Sequence, residues 1–161
     1  SKLEFLYFSN NRLTATLPET IGTLSLLAEL DISGNFIEGT VPQSLLGLAT
    51  LKVLNLARNK LEGGLLPGQS SLGRFLSVQN SLGNLTSLET LDLSENEMTG
   101  SIPSNLPPRL IHLLLQKNKF NGTLPESIYD LSDLEELHLY QNSLSGELSE
   151  DIGNLVNLRS L

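Results

Sequence analysis

Residues 27 to 42 read "LAELDISGNFIEGTVP", and the spacing of their apolar side chains decides what the whole chain can become. In the step Leu30-Asp31-Ile32 successive side chains alternate, so Leu30 and Ile32 point inward while Asp31 points out. That is the period-2 pattern of a short strand. Asn35 follows, and a buried asparagine there donates and accepts toward backbone groups that a tight turn leaves unpaired. Each such group costs about 1–3 kcal/mol if left unsatisfied. Gly39 permits a backbone geometry that a side chain would strain, and Pro42 fixes φ where the chain turns to its return leg.

The same pattern recurs along the chain. "LEFLYFSNN" (3–11), "LKVLNLARN" (51–59), "LETLDLSEN" (88–96), "LIHLLLQKN" (110–118) and "LEELHLYQN" (134–142) all match, and "LRSL" (158–161) begins a further copy. The asparagines Asn11, Asn35, Asn59, Asn96, Asn118 and Asn142 are spaced 24, 24, 37, 22 and 24 residues apart. Seven residues after each, or eight in one case, come Pro18, Pro42, Pro67, Pro103, Pro125 and finally Ser149. Between them lie Gly39, Gly63, Gly100, Gly122 and Gly146, with Ala15 in the first copy. "ETIGTL" (19–24), "QSLLGL" (43–48), "ESIYDL" (126–131) and "EDIGNL" (150–155) then place apolar residues three apart, suited to a short helical turn on the far side. A repeat of this length cannot bury its leucines alone. Neighbours must stack into a solenoid with one continuous core, which lines the six asparagines into a ladder.

The chain resembles the leucine-rich repeat family, and in particular the plant-type subclass with the consensus L-x-x-L-x-L-x-x-N-x-L-x-G-x-I-P-x-x-L-G-x-L. The resemblance covers essentially all of the chain except residues 66–79. It implies an α/β repeat solenoid: a right-handed, gently curved superhelix with a concave parallel β-sheet and few short helices. The stretches "FIEGTVP" (36–42), "MTGSIP" (98–103) and "FNGTLP" (120–125) imply a second short strand per repeat. Residues 1–161 are expected to form a single solenoid domain of about six and a half repeats. Both ends cut the pattern at a strand, without the polar caps that solenoids need, so the natural protein is expected to be longer.

The break in the repeat is "LPGQSSLGRFLSVQ" (66–79). Reading it as a degenerate repeat ending at Asn80 leaves 16 residues before Asn96, too few for a leucine-rich repeat of 20–29. Aligning "SLGNLTSL" (81–88) with "SLLGLATL" (44–51) instead makes residues 60–95 one repeat with about 13 extra residues, most of them after Pro67. Leu72, Phe75 and Leu76, behind Ser70 and Ser71, suggest a short amphipathic helix with a serine cap, against which Gly73 counts. Its apolar face is expected to lie on the solenoid's own flank. The alternative is a ligand-contacting island, although insertions of that kind in the plant receptors this chain resembles are much longer.

Bulk properties exclude several classes. Ten basic and eighteen acidic side chains leave a net charge of −8, and no run of Lys or Arg is present to neutralise a row of phosphates, which argues against a nucleic-acid partner. No stretch approaches the roughly 18 apolar residues of a membrane span, so no direct membrane insertion is expected from this segment. The opening "SKLEFLYFSNN" lacks the regions of a secretory signal. The chain has no cysteine, which removes thiol catalysis, Cys-based zinc and disulfides from consideration.

Function in such a fold is carried by strand side chains that face solvent. The residue before the middle leucine runs Phe5, Glu29, Val53, Thr90, His112, Glu136, and the residue after it runs Tyr7, Asp31, Asn55, Asp92, Leu114, His138. Arg58 stands beside a motif asparagine, and Tyr140 lies just before the last Gln141-Asn142 pair. Phe5, Tyr7, Glu29, Asp31, Asn55, Arg58, Asp92, His112, Glu136, His138 and Tyr140 are therefore the expected ligand-binding residues, with the aromatics as anchors. His112, Glu136 and His138 fall on adjacent strands, but two histidines and a carboxylate are too common a set to name a metal site. Asp31 and Asp92 invite a hydrolase reading, yet a smooth sheet offers no pocket for a scissile bond, and no enzymatic activity or cofactor is expected. "NLT" at Asn84 and "NGT" at Asn121 are glycosylation sequons at polar positions of the repeat.

The resemblance implies a non-enzymatic recognition module: the ectodomain of an extracellular or cell-surface receptor-like protein or kinase. Its ligand would be a protein or peptide on the concave face, with a possible co-receptor or assembly partner. A soluble inhibitor of a cell-wall-degrading enzyme and an intracellular structural scaffold are the alternatives.

Overall fold

The computed structural model describes residues 2–65 and 81–161. Each copy of the pattern forms a short strand at its L-x-L step, and five of them add a second strand after the asparagine. In chain order these are β1 (Phe5–Tyr7), β2 (Glu29–Asp31), β3 (Glu38–Gly39), β4 (Val53–Asn55), β5 (Lys60–Gly63), β6 (Thr90–Asp92), β7 (Glu97–Ser101), β8 (His112–Leu114), β9 (Lys119–Gly122), β10 (Glu136–His138) and β11 (Ser143–Leu144). The L-x-L strands build a six-stranded parallel sheet in the order β1-β2-β4-β6-β8-β10, and the others a five-stranded parallel sheet, β3-β5-β7-β9-β11. This is the solenoid with two strands per repeat that the resemblance implies. Among the described residues, no helix is long and apolar enough to cross a membrane.

The core lies between the sheets. The inward leucines Leu30, Leu54, Leu91, Leu113 and Leu137 of the six-stranded sheet are at most 1% exposed and join one apolar cluster that runs from Ile21 to Leu155, while Leu6 on the edge strand β1 is half-buried against it. On the return leg the expected helical turns are 3-10 helices at Glu19–Thr23, Gln43–Gly47, Leu82–Asn84, Glu126–Asp130 and Glu150–Asn154. A single short turn favours the tighter i to i+3 bond. Pro18, Pro42 and Pro125 precede three of these helices in extended conformation, with φ between −76° and −62°. None of the three offers a side-chain cap. At Gln43–Gly47 the cap comes from the preceding repeat, where the Glu19 carboxylate accepts from the N–H groups of Gln43 (3.3 Å) and Ser44 (3.0 Å). Hydrogen bonds from Ser44 hold the Glu19 carboxyl below the usual glutamate range. Stacking leaves no room between these helices: a Cβ on Gly22 would sit 2.4 Å from Ser44 Cβ.

Pairing settles where the long interval belongs. β4 pairs directly with β6, Val53 against Thr90, so the sheet spans the 37-residue spacing in one step with no strand between. Leu82 takes the inward place that Leu45 holds in its own helix. The insertion at 66–79, with the expected turn at Leu72, Phe75 and Leu76, lies outside the described residues.

The asparagines hold neighbouring repeats together. Asn59 Nδ2 donates to its own Leu56 carbonyl (3.1 Å) and to Ile32 of the repeat before (3.1 Å), while its Oδ1 accepts from Ile37 N–H (3.0 Å). Asn35, Asn96, Asn118 and Asn142 repeat this arrangement, always with one carbonyl and one N–H of the preceding repeat. Asn35, Asn59, Asn96 and Asn118 are buried. Asn11 differs. It is exposed and donates only to Phe8 and Ser9 of its own repeat, because β1 is an edge strand with no described repeat before it to bridge.

Backbone conformation at two corners repeats as faithfully. The residue before each asparagine is left-handed in all six copies, with φ from 52° to 63°, though only Gly34 is a glycine there. Asn10, Arg58, Glu95, Lys117 and Gln141 carry side chains in that region, and the first four each donate their N–H to a carbonyl of the next repeat, at 2.8–2.9 Å. The second corner takes glycine at Gly39, Gly63, Gly100, Gly122 and Gly146, but Ala15 adopts φ 69° in the first copy. Ala15→Gly should therefore stabilise the chain by about 0.5–1 kcal/mol, the left-handed strain of a Cβ less the added freedom of the unfolded glycine. Thermal unfolding checks this as a rise in Tm of about 1–4 °C.

Candidate functional site

The outward side chains of the six-stranded sheet form two complete columns. Register places Phe5, Glu29, Val53, Thr90, His112 and Glu136 side by side, and next to them Tyr7, Asp31, Asn55, Asp92, Leu114 and His138. At about 4.8 Å per strand each column runs about 24 Å. The inward leucines are locked in the core, so the columns stand on a rigid base.

The two ends of the sheet are aromatic. Phe5 and Tyr7 are 51% and 57% exposed, with rings stacked at 6.4 Å. The Tyr7 hydroxyl donates to Glu29 Oε2, and that bond, followed by partial desolvation and the negative charges of Glu29 and Asp31, raises the phenol's pKa above its ordinary value. At the other end Tyr140 is 55% exposed and its ring lies 6.1 Å from that of His138.

Between the ends the acidic side chains are half-buried, and besides Glu29, which accepts from Tyr7, Asp31 and Asp92 are engaged by the turns after their own strands. Asp31 Oδ1 accepts from the N–H and hydroxyl of Ser33, at 2.9 and 2.7 Å, and Asp92 Oδ1 accepts from Ser94 N–H at 3.0 Å. Asn55 Oδ1 does the same for Ala57 N–H at 3.1 Å. These residues brace the turn after their strand as well as facing outward. Nothing in one repeat's outward pattern distinguishes the two roles, but the acceptor-plus-small-residue pair two positions apart (Asp31/Ser33, Asn55/Ala57, Asp92/Ser94) is a signal for it.

His112 is the register partner of Glu136, and its Nδ1 is hydrogen-bonded with Thr90 Oγ1 at 3.1 Å. His138 lies two residues further along β10, with Nε2 2.8 Å from Ser160 Oγ. No group of three or more His, Cys, Asp or Glu side chains is arranged to hold a metal ion among the described residues. Arg58 stands off the sheet, on the left-handed corner before Asn59. Asn84 and Asn121 are both exposed, Asn84 ending a 3-10 helix and Asn121 on β9. A shallow open depression of about 550 Å³ lies off the N-terminal ends of β6, β8 and β10, lined by Glu89, Arg109, Ile111, Asp133, Glu135 and Asn157. None of those residues belongs to the two columns, and Glu135 is paired there with Arg159 at 3.1 Å.

Comparison with known proteins gives a consistent answer. Profiles of the family described as Leucine rich repeat match residues 1–61 and, repeat by repeat, residues 87–108, 109–131 and 133–155. The LRR receptor-like serine/threonine-protein kinase GSO2 of Arabidopsis thaliana is 42% identical over 72 residues, covering 43% of this chain and 6% of its own length. The solved complex of the plant peptide hormone receptor RGFR1 with RGF2 superposes with a TM-score of 0.86 at 33% identity, covering 97% of this chain and 23% of the receptor chain. The PEPR1–AtPEP1 crystal structure gives 0.87 at 36%, covering 99% and 21%. The chain spans only 6–8% of the length of the curated relatives it matches.

Proposed function

Because the chain belongs to the leucine-rich repeat family, and its relatives are plant receptor-like proteins and kinases, we propose that it is part of the extracellular recognition region of such a receptor. In this reading it takes a peptide or protein ligand on the outward columns of the six-stranded sheet, without catalysis. The observation that carries the reading is the sheet itself: six strands in unbroken register presenting exposed aromatics at both ends of a polar face. A rigid face needs little ordering on binding, and aromatic side chains supply contact area at low entropic cost. Peptide-bound relatives such as RGFR1 with RGF2 support the ligand class. A second, co-receptor partner is consistent with HAESA, solved together with the peptide hormone IDA and the co-receptor SERK1.

The test replaces columns without disturbing turns. Asp31→Asn and Asp92→Asn keep the oxygen that braces each turn, so Tyr7→Ser, Asp31→Asn, Asp92→Asn and Tyr140→Ser together should leave Tm within about 2 °C of wild type. Peptides selected on the wild-type chain from a displayed random library serve as the probe, and their affinity should fall at least about tenfold on the fourfold variant. Undiminished binding would move the recognition surface off the sheet. In the natural protein, exposed Asn84 and Asn121 should carry glycans, and the absence of any mobility shift on glycosidase treatment would count against an extracellular location.

A further inference from the structure

Of the chain's ten lysines and arginines, none stands in either outward column of the six-stranded sheet. The columns hold four carboxylates instead: Glu29 and Asp31 on β2, Asp92 on β6 and Glu136 on β10. All four are half-buried, and none belongs to an ion pair among the described residues. The pairs that do form, Lys117–Glu95, Lys119–Glu97 and Arg159–Glu135, neutralise charge off the columns. Tyr7 occupies Glu29 Oε2, and the turns occupy Asp31 Oδ1 and Asp92 Oδ1, so each of these acids keeps a second oxygen with no hydrogen-bond partner among the described residues. Two histidines apart, the face is therefore acidic and uncompensated, and partial burial shields its field from salt less than free surface would.

The acids fall on alternate strands. β2, β6 and β10 are the second, fourth and sixth strands of the sheet, so successive acidic strands lie about 9.6 Å apart at about 4.8 Å per strand. A β-extended peptide laid across the strands would bring every second side chain to the sheet at intervals of about 6.8 Å, out of step with the acids. A polyproline II segment turns once in three residues and rises about 3.1 Å per residue, so its side chains at i, i+3 and i+6 face one way at intervals of about 9.3 Å. That spacing fits. Resting on the reading of the sheet as the recognition face, we infer that its ligand is a basic peptide segment in polyproline II conformation, with Lys or Arg at every third residue over the acids of β2, β6 and β10. The flexible stem of such a side chain spans the step from the column of Asp31 and Asp92 to that of Glu136. The intervening residues lie over β4 and β8, which carry no carboxylate in the columns. The same field speeds encounter with a basic segment and turns an acidic one away.

Three fluorescein-labelled nonapeptides test this by fluorescence anisotropy: Lys-Pro-Pro repeated three times, three lysines followed by six prolines, and Glu-Pro-Pro repeated three times. The first should bind the chain at least about tenfold more tightly than the second, which has the same charge and composition, and the third should not bind. The variant E29Q/D31N/D92N/E136Q keeps amide oxygens that accept from Tyr7 and brace the turns, so its Tm should stay within about 2 °C of wild type. On it the first peptide should weaken at least about tenfold. Equal affinity for the two lysine peptides, undiminished binding to the variant, or no binding of the first peptide overturns the inference. Peptides selected from the random library separate this from the sheet reading. If they lose affinity on Tyr7→Ser/Tyr140→Ser yet bind E29Q/D31N/D92N/E136Q fully, the basic-ligand inference falls and the sheet reading stands. Full binding to both variants overturns both.

Discussion

Asn96→Ala should destabilise the chain by about 3–5 kcal/mol, far more than the loss of one ordinary hydrogen bond. Asn96 Oδ1 accepts from Leu61 N–H at 2.9 Å, and its Nδ2 donates to Leu56 (3.0 Å), Leu93 (3.0 Å) and Ser94 (3.1 Å). Alanine strands these groups at a residue that is 8% exposed, where water does not replace the amide freely. Two of the four partners belong to the preceding repeat, reached across the longest interval in the chain. The substitution should therefore also weaken the coupling between the halves of the solenoid, because each repeat is stabilised by its neighbours. Urea unfolding checks both effects: a lower midpoint, and a shallower slope or a second transition where wild type shows one. Asn11→Ala is the internal comparison. Exposed, and bonded only within its own repeat, it should lose less than about 1 kcal/mol. Equal effects at the two positions would mean that the ladder does not couple repeats.

Phe120→Ala should cost a similar amount, about 3–5 kcal/mol, by a different route. Phe120 is the largest of the fully buried side chains, at 0% exposure on β9, and a cavity there opens into the continuous core. Its column is otherwise aliphatic, with Leu13, Ile37, Leu61, Met98 and Leu144 at the matching places. Phe120→Leu should consequently cost less than about 1.5 kcal/mol, since the space is shaped for either class once neighbours settle. Both variants keep the backbone N–H that Asn142 accepts at 3.0 Å, so the difference between them reports packing alone. Denaturant midpoints measured side by side separate the two outcomes, and equal losses for Leu and Ala would show that ring shape, not volume, is what the core requires there.

Much of the fold is legible from single residue types. Leu30 and Ile32 at one face and Asp31 at the other follow from alternation along a strand, and the asparagine after them carries the donors and acceptor that its turn lacks. The far-side turns are legible as turns, but their tight 3-10 form follows from stacking and from a cap such as Glu19, 24 residues away from Gln43. The outward columns are legible as surface. What each column residue does there is not: Asp31 and Asp92 also brace the turns after their strands, and Gln116 stands where the preceding repeats have serine or alanine.

By itself the sequence determined the repeat, the inward set and the asparagine positions, because those depend on periodicity and on the chemistry of one side chain at a time. Only the tertiary structure decided that Ala15 and Arg58 adopt left-handed conformations, and which outward residues are spent on turns. The bracing bonds of Asp31, Asn55 and Asp92 span two residues of one repeat, whereas the bonds at the left-handed corners join groups on neighbouring repeats. They do not exist until stacking brings those groups within about 3 Å of one another.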